Sequence, residues 1–378
     1  MNDPSHNFQY IQTDAELRES LDLWQQHQHV ALDTEFVRVN TYFPIAGLIQ
    51  VCAGGQSYLV DPIAVKDLSP LATLCSNPDI LKILHACSED LEIFQQLLDV
   101  VPVPMFDTQV AAAILGGSLS LSYQDLIKDV LGVTIQKGET RSNWLQRPLT
   151  ESQCHYAALD VSYLPQVYKL QQRALSEMNR SAWVKEDCDR LVRQQSVAIS
   201  SDDYYLRIKS AWKLDRQQLM ILQSVCRWRE DMAKKLNRPR NWIVVEQALV
   251  TIARERIADK ADLSSKAGMS PRQIRNYGDQ LLELADAARR VPEDDCPELL
   301  ERPTPSESAA MLRALRKLVS TRAEQLQIVP EVLAKKAQLQ ELLRSGTEEG
   351  TYTLPGALQG WRKSVIGQDL LMKVYVVR

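Results

Sequence analysis

The sequence predicts a mixed-sheet α/β domain over roughly the first 180 residues, followed by two blocks that are entirely helical. Strand-like and helix-like runs alternate in the first part, whereas strand signals vanish after about residue 200. A length of 378 residues favours two or three domains rather than one. Hydrophobic residues make up 45% of the chain and charged residues 24%, a globular balance that argues against extensive disorder.

The α/β part opens with a helix and a strand meander. A helix is predicted over Asp14–His27, because Thr13 and Glu16 form a capping-box pattern ahead of an apolar stripe. Three strand signals at short spacing then favour an antiparallel meander: His29–Phe36, Leu48–Cys52 and Ser57–Val60. Strands are predicted next at Leu81–His85 and Pro104–Thr108, and helices at Glu89–Asp99, Val110–Leu115, Tyr123–Leu131 and Glu151 to about Met178.

The rest of the chain shows helical periodicity in two blocks. Amphipathic helices are predicted at Leu214–Leu236, Val244–Ile257 and Pro271–Arg290. A stretch rich in proline and acid, Pro292–Ser308, predicts a linker, and a second helical block runs from Ala309 to the C-terminus. The blocks share a motif of alanine, leucine and proline at an offset of 90 to 91 residues, which suggests a divergent repeat: Ala233, Leu236 and Pro239 correspond to Ala323, Leu326 and Pro330.

Charge is distributed unevenly along the chain, whose net charge is −4. The segment Tyr204–Arg290 contains 18 basic and 10 acidic residues, so it carries an excess of eight positive charges. The remaining residues must then carry an excess of twelve negative charges. This asymmetry favours a polyanion-binding module joined to an acidic domain, although a solvated helical surface rich in Lys and Arg would give the same count.

Cysteine usage and hydropathy exclude several classes of protein. The seven cysteines occur singly and form no C-x-x-C pair, which predicts buried reduced thiols rather than a zinc site or a disulfide framework. No run of 18 apolar residues occurs, so no membrane partner is expected. The first residues do not show a basic segment followed by an apolar one, and a cytoplasmic location is therefore expected.

Two acids on one predicted strand give the first chemical signal. Asp33 and Glu35 lie within His29–Phe36, and side chains at i and i+2 share one face of a strand. Two carboxylates on an otherwise apolar face repel each other and are poorly solvated. A hard cation such as Mg²⁺ or Mn²⁺ would relieve both effects, while the alternative is a strand end that has reached solvent.

A third acid, Asp90, stands where the predicted strand Leu81–His85 passes into a helix. It falls in the first helical turn, at the end of the predicted sheet. A carboxylate at this position can bind a metal ion, but it can also simply complement the helix dipole.

A tyrosine and an aspartate on one helix give the third signal. Thr150 and Gln153 predict a capping box, so the helix begins at Glu151. Tyr156 and Asp160 are then four residues apart and share a face, whereas His155 lies about 140° around the helix from that aspartate. The two residues either belong to a catalytic site or form a buried hydrogen bond that is only structural.

These segments together resemble the ribonuclease D family, within the tyrosine branch of the 3′–5′ exonucleases that have four acids. The resemblance lies in Asp33–Gln50 (DTEFVRVNTYFPIAGLIQ), His85–Phe94 (HACSEDLEIF), Phe106–Ala112 (FDTQVAA) and Lys137–Asp160 (KGETRSNWLQRPLTESQCHYAALD). It implies a ribonuclease H-like exonuclease domain over residues 1–200 and a first helicase-and-RNase-D C-terminal (HRDC) domain over 204–291. It further implies a linker over 292–308 and a second HRDC-like domain over 309–378.

The resemblance also implies roles for individual residues. It makes Asp33, Glu35, Asp90 and Asp160 ligands of two divalent ions, Mg²⁺ or Mn²⁺, and Tyr156 the family's catalytic tyrosine. Further along, it suggests contributions to the substrate groove from Lys137, Ser142 and Trp144. Asp107, in the D-T-Q sequence, is expected to be structural or to support the metal ligands without binding an ion itself.

The activity that the resemblance implies is 3′–5′ exoribonuclease cleavage, which releases nucleoside 5′-monophosphates. Structured RNA 3′ ends, tRNA precursors among them, are the expected partners, and a monomer is expected. A DNA exonuclease stays open as an alternative, because no motif reads a 2′-hydroxyl. A non-catalytic nucleic-acid-binding adaptor is the third hypothesis, against which the complete set of acids argues.

Overall fold

The computed structural model describes residues 7–135, 138–139, 142–196, 200–300, 309–347 and 350–376. Its strands are β1 (Phe8–Ile11), β2 (His29–Val37), β3 (Ile45–Ala53), β4 (Gln56–Val60), β5 (Leu81–Leu84) and β6 (Met105–Asp107). Its helices before residue 200 are α1 (Asp14–Trp24), α2 (Ser69–Ser76), α3 (Ser88–Leu98), α4 (Thr108–Ile114), α5 (Tyr123–Leu131), α6 (Glu151–Ser162), α7 (Leu164–Glu177) and α8 (Ser181–Ser196). After residue 200 come α9 (Arg216–Leu236), α10 (Arg240–Ile243), α11 (Glu246–Arg254), α12 (Lys260–Ser265), α13 (Pro271–Arg289), α14 (Ala309–Leu326), α15 (Pro330–Leu333), α16 (Lys336–Arg344) and α17 (Gln368–Val376).

The chain forms two compact units. The first unit comprises residues 1–37, 45–197 and 306–378, and the second comprises residues 38–44 and 198–305. No helix within the described part of the chain is long and apolar enough to cross a membrane. All seven cysteines are buried and unpaired, as the sequence predicts.

The first unit is built on a six-stranded sheet with the strand order β1-β4-β3-β2-β5-β6. Strands β2, β3 and β4 pair antiparallel, so the predicted meander is confirmed. Strands β1, β5 and β6 join it through parallel pairs. The predicted mixed sheet, with helices after it, is therefore confirmed.

Alternation along β2 divides its side chains between two hydrophobic cores. Leu32 belongs to a core that includes Phe94 of α3. Ala31 belongs to a different core, which includes Val161 at the end of α6. Because successive side chains point to opposite faces, the acids at positions 33 and 35 lie on the α6 face and the residue between them lies on the α3 face.

The second helical block, α14–α17, shares its core with the sheet and helices of the first unit. Trp361 stacks on Trp183 of α8, with ring centroids 4.3 Å apart and planes 5° from parallel. The guanidinium of Arg362 pairs with Asp187 at 2.5 Å. Arg180 donates to the carbonyl of Leu326 at 2.6 Å. The domain boundaries at 200, 204, 291 and 308 stay a prediction.

Trp361→Ala is expected to lower the free energy of unfolding of the first unit by about 3 kcal/mol, because the side chain is 6% exposed and its stack would be lost. Thermal unfolding followed by near-UV circular dichroism measures the change. Trp242→Ala is the matched control, since that tryptophan is 53% exposed and should shift stability by no more than about 0.5 kcal/mol. Equal shifts for both variants would contradict the packing role of Trp361.

The second unit is organised around α9. Its N-terminus has a capping box from Asp215 and Gln218, and its buried face contacts α11 and α13 in an apolar core. Glu230 on α9 is fully buried and pairs with Arg240 at 2.6 Å. The guanidinium of Arg240 also lies over the rings of Tyr42 and Tyr204, with its central carbon 4.7 and 4.6 Å from their centroids. This network ties residues 38–44 into the second unit.

The predicted repeat is present in the backbone. Helices α10 and α15, and likewise α11 and α16, begin and end 90 residues apart. Both α9 and α14 are followed by a left-handed residue, Asn237 with φ 45° and Gln327 with φ 54°. After each, the next N–H bonds back to an alanine carbonyl, that of Ala233 or Ala323, at 3.0 Å. The recurring alanine and leucine therefore mark the same helix ending in both copies.

The structure corrects several predicted boundaries. The long helix predicted from Glu151 to Met178 is two helices, separated at Tyr163. Pro165 lies in the first turn of α7, because a proline has no backbone N–H to donate and its ring clashes with a preceding helical turn. Helix α1 ends at Trp24 rather than His27. Strand β1 and helices α2 and α8 have no counterpart in the prediction. Of the predicted linker, residues 301–308 lie outside the described part of the chain.

Candidate active site

All four predicted acids and the predicted tyrosine line one cleft of about 330 Å³ in the first unit. The cleft brings together β2, the N-terminal turn of α3, and α6. Its lining residues are Asp33, Thr34, Glu35, Phe36, His85, Ala86, Glu89, Asp90, Tyr123, Gln124, Tyr156 and Asp160.

Three carboxylates form the centre of the cleft. Asp33 and Glu35 share the face of β2 that α6 covers, and Asp160 lies on α6 itself. One oxygen from each of the three side chains lies within 4.8 Å of the others. A cluster this tight brings like charges together and provides an oxygen-only ligand set.

Asp90 joins the cleft from the other face of β2. It is 7% exposed, and its Oδ1 accepts a hydrogen bond of 2.5 Å from the hydroxyl of Thr34. Thr34 lies between the two acids of β2 but points toward α3, which explains how one strand orients acids on both of its faces. Thr34 is a functional residue that the sequence did not predict, although its place inside the D-x-E motif was a usable signal.

Asp107 holds the start of α3 in place. Its carboxylate accepts backbone N–H groups from Cys87 at 2.9 Å and Ala86 at 3.3 Å. It also caps α4, accepting from Gln109 at 2.7 Å and Val110 at 3.1 Å. Asp107 is 2% exposed and lies outside the cleft lining, in agreement with the expected structural role.

Desolvation by burial raises the pKa of each of the four acids in the cleft. It raises the pKa of Glu35 to about 10, with the charges of Asp33 and Asp160 adding to the effect. It raises the pKa of Asp160 to about 8, although a hydrogen bond from Tyr156 acts in the opposite direction. Loss of solvent, followed by neighbouring carboxylates, also holds the pKa values of Asp33 and Asp90 well above their usual range.

The side chains of Tyr156 and His155 lie on different faces of α6. The predicted capping box of Thr150 and Gln153 is present, so α6 begins at Glu151 as expected. Tyr156 lines the cleft and hydrogen-bonds Asp160, and burial raises the pKa of its phenol. The ring of His155 instead lies 5.8 Å from that of Phe8, and its Nε2 is 3.8 Å from Glu151. As the helix spacing predicts, Tyr156 shares a face of α6 with Asp160 and His155 does not.

The three residues suggested for a substrate groove have different positions. Lys137 lies outside the described residues. Ser142 donates to the carboxylate of Glu139 and does not line the cleft. Trp144 is 2% exposed, and its ring lies 6.2 Å from that of Tyr156. Its burial argues against direct contact with a substrate and indicates support for the tyrosine ring.

The residues fit a divalent cation. Carboxylate oxygens are the ligands that Mg²⁺ and Mn²⁺ prefer, and three of them already lie within reach of one another. A cation would also compensate the repulsion and the lost solvation that raise the pKa values of these acids.

Comparisons with known proteins identify the family. A family model for the 3′–5′ exonuclease matches residues 8–175, one for the HRDC domain matches 218–284, and one for the ribonuclease D C-terminal HRDC domain matches 309–370. Ribonuclease D of Pseudomonas paraeruginosa is 45% identical over 363 residues, which cover 96% of this chain and 96% of that protein. The chain belongs to the ribonuclease D family.

Other relatives of the family agree over the full length. Ribonuclease D of Escherichia coli is 34% identical over 372 residues, covering 96% of this chain and 97% of that protein. The crystal structure of Escherichia coli RNase D, described as an exoribonuclease involved in structured RNA processing, gives a TM-score of 0.92 at 32% identity, covering 98% of this chain and 99% of that chain. The chain is thus a 3′–5′ exoribonuclease that uses divalent metal ions, with two HRDC domains after its exonuclease domain. The fold and activity implied by the sequence resemblance are confirmed.

Thr34→Val is expected to weaken Mn²⁺ affinity about tenfold, because the isosteric side chain cannot orient the Asp90 carboxylate. Calorimetric titration of the metal-free protein measures this change. Thr34→Ser, which keeps the hydroxyl, should bind like the wild type. Wild-type affinity in the valine variant would show that the hydrogen bond has no influence on the ligand set.

Proposed function

We propose that this exoribonuclease trims the 3′ ends of structured RNAs, tRNA precursors above all, one nucleotide at a time, and releases nucleoside 5′-monophosphates. The observation that carries the proposal is the cleft in which three close carboxylates, a fourth acid and a tyrosine converge. The likeness to Escherichia coli RNase D, described as acting on structured RNA, supports this substrate class.

The site would hold two divalent ions, Mg²⁺ or Mn²⁺. Asp33, Glu35 and Asp160 offer the close set of oxygens, and Asp90 offers a further carboxylate at the edge of the same cleft. When bound, such ions make a nucleophile available from water and stabilise the negative charge that develops on the phosphodiester. Without cations the four acids offer an RNA phosphate no positive charge, and any of them that is ionised repels it, so these residues need cations before they can bind a substrate.

Tyr156 would hold the attacking water rather than remove its proton. Burial and the neighbouring carboxylates raise the pKa of its phenol above the ordinary value of 10.0, which makes the phenolate a rare species at neutral pH. The protonated hydroxyl can donate one hydrogen bond and accept another, and Asp160 is its partner on α6. The side chain therefore orients groups in the cleft without changing its own charge.

The first helical block would supply affinity for the rest of the strand. Its excess of eight positive charges over Tyr204–Arg290 favours contacts with phosphates. We further propose a cytoplasmic monomer. The seven unpaired, buried cysteines suit a reducing compartment, and the four acids and the tyrosine that the proposed chemistry needs already lie together in one copy of the chain.

Two matched oligonucleotides test the substrate class. Single-stranded RNA and DNA of one sequence, labelled at the 5′ end, are incubated with the protein and Mg²⁺ or Mn²⁺. The expected result is a shortening ladder on RNA, nucleoside 5′-monophosphates as products, and much slower shortening of DNA. A tRNA precursor with a 3′ extension should be trimmed faster than an unstructured RNA of equal length. Equal cleavage of DNA, or no preference for the precursor, would contradict the proposal.

A further inference from the structure

A groove of about 730 Å³ lies within the second unit, beside α10 and the N-terminal half of α13. Two arginines, two asparagines and two aromatic residues dominate its lining, and the residues that line it include no acid. These charged, amide and aromatic residues are Arg238, Asn241, Trp242, Arg272, Asn276 and Tyr277. The groove, named here the Trp242 groove, is distinct from the catalytic cleft of the first unit.

Trp242 is the most informative residue of this groove. Its side chain is 53% exposed, although a tryptophan in a helical domain usually packs into the core. The guanidinium carbon of Arg238 lies 5.6 Å from the centroid of its ring. Tyr277 is held by Trp228, whose ring centroid lies 5.5 Å away at 71°. The groove thus combines a half-exposed tryptophan ring with a cation that lies over that ring.

The repeat shows that the fold does not require this exposure. Trp242 and Val332 occupy equivalent positions, 90 residues apart, in α10 and α15. Val332 is 3% exposed and belongs to the core of the first unit. The residue equivalent to Arg238 is Ile328, which is 7% exposed in the same core. One copy therefore buries apolar residues at positions where the other presents an aromatic ring and a guanidinium to solvent.

We propose that the Trp242 groove binds an unpaired stretch of RNA, with one base stacked on Trp242 and adjacent phosphates paired with Arg238 and Arg272. This deepens the proposed function, on which it rests. An aromatic ring can stack on any base, whatever the sequence. A base must be unpaired, however, before it can reach such a ring. Asn241 and Asn276 can donate to and accept from base edges, while a groove lined by arginines without acids attracts phosphates.

Binding to an RNA hairpin with a single-stranded 3′ tail tests the stacking part. Affinities are measured by fluorescence anisotropy in an Asp33→Asn background, which is expected not to degrade the probe. Trp242→Ala should raise Kd about fivefold or more, the lower end of what stacking of one base contributes. Trp242→Phe should restore most of the affinity. A blunt hairpin without the tail should bind both Trp242 variants and the parent equally.

Salt dependence separates stacking from phosphate contact. Arg272→Gln should reduce the slope of log K against log salt by about one, whereas Trp242→Ala should leave the slope unchanged. Unchanged affinity for the tailed hairpin in Trp242→Ala, or an equal loss on the blunt hairpin, would overturn the groove proposal. Retained RNA affinity combined with loss of self-association or of a protein contact in the same variant would assign the groove to a protein partner instead.

Activity distinguishes failure of this inference from failure of the proposed function. On a diribonucleotide, which provides no tail, Trp242→Ala in an otherwise wild-type chain should have unchanged kcat. Normal trimming of tailed RNA by that variant would reject the groove while leaving the exoribonuclease proposal intact. Failure of the unsubstituted protein to prefer RNA would instead reject the proposed function.

A second inference rests on a different observation, the amide of Gln50 in β3. The side chain is fully buried, and among the described residues neither its Oε1 nor its Nε2 has a hydrogen-bond partner. Gln50 pairs directly with Asp33 across the antiparallel strands, so both side chains lie on the face covered by α6. A buried amide without partners is costly, which suggests that it is paired in another state of the protein.

We infer that Gln50 is a positioning residue for Asp33. Because the two residues lie opposite each other on one face of the strand pair, the Nε2–H of Gln50 can donate to the carboxylate of Asp33 and fix its orientation in the cation-loaded site. Substitution by leucine, of similar volume, removes the donor. Gln50→Leu should therefore weaken Mn²⁺ affinity about tenfold in calorimetry, while the melting temperature of the metal-free protein rises because an unpaired buried amide is lost.

The two readouts together decide the role of Gln50. A raised melting temperature with unchanged Mn²⁺ affinity would show an unpaired amide with no role in the site, and would overturn the inference. A lowered melting temperature would show that the amide is already paired in the metal-free protein, which also contradicts it. Gln50→Glu should lose Mn²⁺ affinity as well, because a carboxylate in place of the donor repels Asp33.

Discussion

Asp33→Asn is expected to lower kcat by at least about a thousandfold, equivalent to about 4 kcal/mol of transition-state stabilisation. The substitution keeps the shape of the side chain but removes one charge from three carboxylates whose oxygens lie within 4.8 Å of one another. Steady-state cleavage of a 5′-labelled RNA measures kcat, and calorimetry should show weaker Mn²⁺ binding. Glu35→Gln, Asp90→Asn and Asp160→Asn are expected to behave similarly.

Glu89→Gln is the matched control for the acid series. Glu89 is an exposed carboxylate that lines the same cleft, but it does not belong to the close cluster of three. Its substitution removes one negative charge at the edge of the cleft and should leave kcat within about twofold. Near wild-type turnover in Asp33→Asn, or an equal loss in Glu89→Gln, would contradict the assignment of the cluster as the metal site.

The same acids make the metal-free protein less stable as pH rises. Their folded-state pKa values lie above the ordinary 3.8 of aspartate and 4.5 of glutamate, at about 8 for Asp160 and about 10 for Glu35. Between pH 4 and these values the folded state holds protons that the unfolded state has lost, so the free energy of unfolding falls with pH. Asp160→Asn should therefore raise the melting temperature in EDTA at pH 8 more than at pH 5. A uniform shift would contradict this linkage.

The parts of the site that the sequence predicts are those set by local structure. Alternation along one strand places Asp33 and Glu35 on the same face, and a capping box fixes the start of the helix that carries Tyr156 and Asp160. Both signals depend on residues within one turn or one strand. Both predictions therefore hold in the structure, because they do not depend on contacts with distant parts of the chain.

The parts that sequence reasoning misses depend on distant packing. The hydrogen bond from Thr34 to Asp90 joins residues 56 positions apart, and nothing in either segment shows that they meet. The second helical block looks like a separate domain, yet its core includes residues of the sheet and of α8. Trp144 is predicted to contribute to a substrate groove, but tertiary packing buries its side chain beside Tyr156. Local patterns cannot resolve such contacts, because the partner is chosen by the fold.

Tyr156→Phe is expected to lower kcat at least about tenfold, equivalent to about 1.4 kcal/mol. The change removes one hydroxyl and leaves a ring that fits the same space. That hydroxyl lines the cleft and hydrogen-bonds Asp160, so its loss removes the group proposed to hold the attacking water. Single-turnover cleavage of a 5′-labelled RNA separates this effect from product release. Mn²⁺ affinity should change little, because the phenol stays protonated and neutral, whereas Mg²⁺ and Mn²⁺ prefer carboxylate oxygens.

His155→Ala is the control that distinguishes the tyrosine from its neighbour. Both residues lie on α6, but His155 faces Phe8 and Glu151 rather than the cleft. Its substitution should leave kcat within about twofold and the pH–rate profile unchanged, since a side chain outside the cleft cannot transfer a proton at the reacting phosphodiester. Loss of activity in His155→Ala with normal activity in Tyr156→Phe would mean that α6 is turned in the active enzyme, and that the histidine is the group that acts on water.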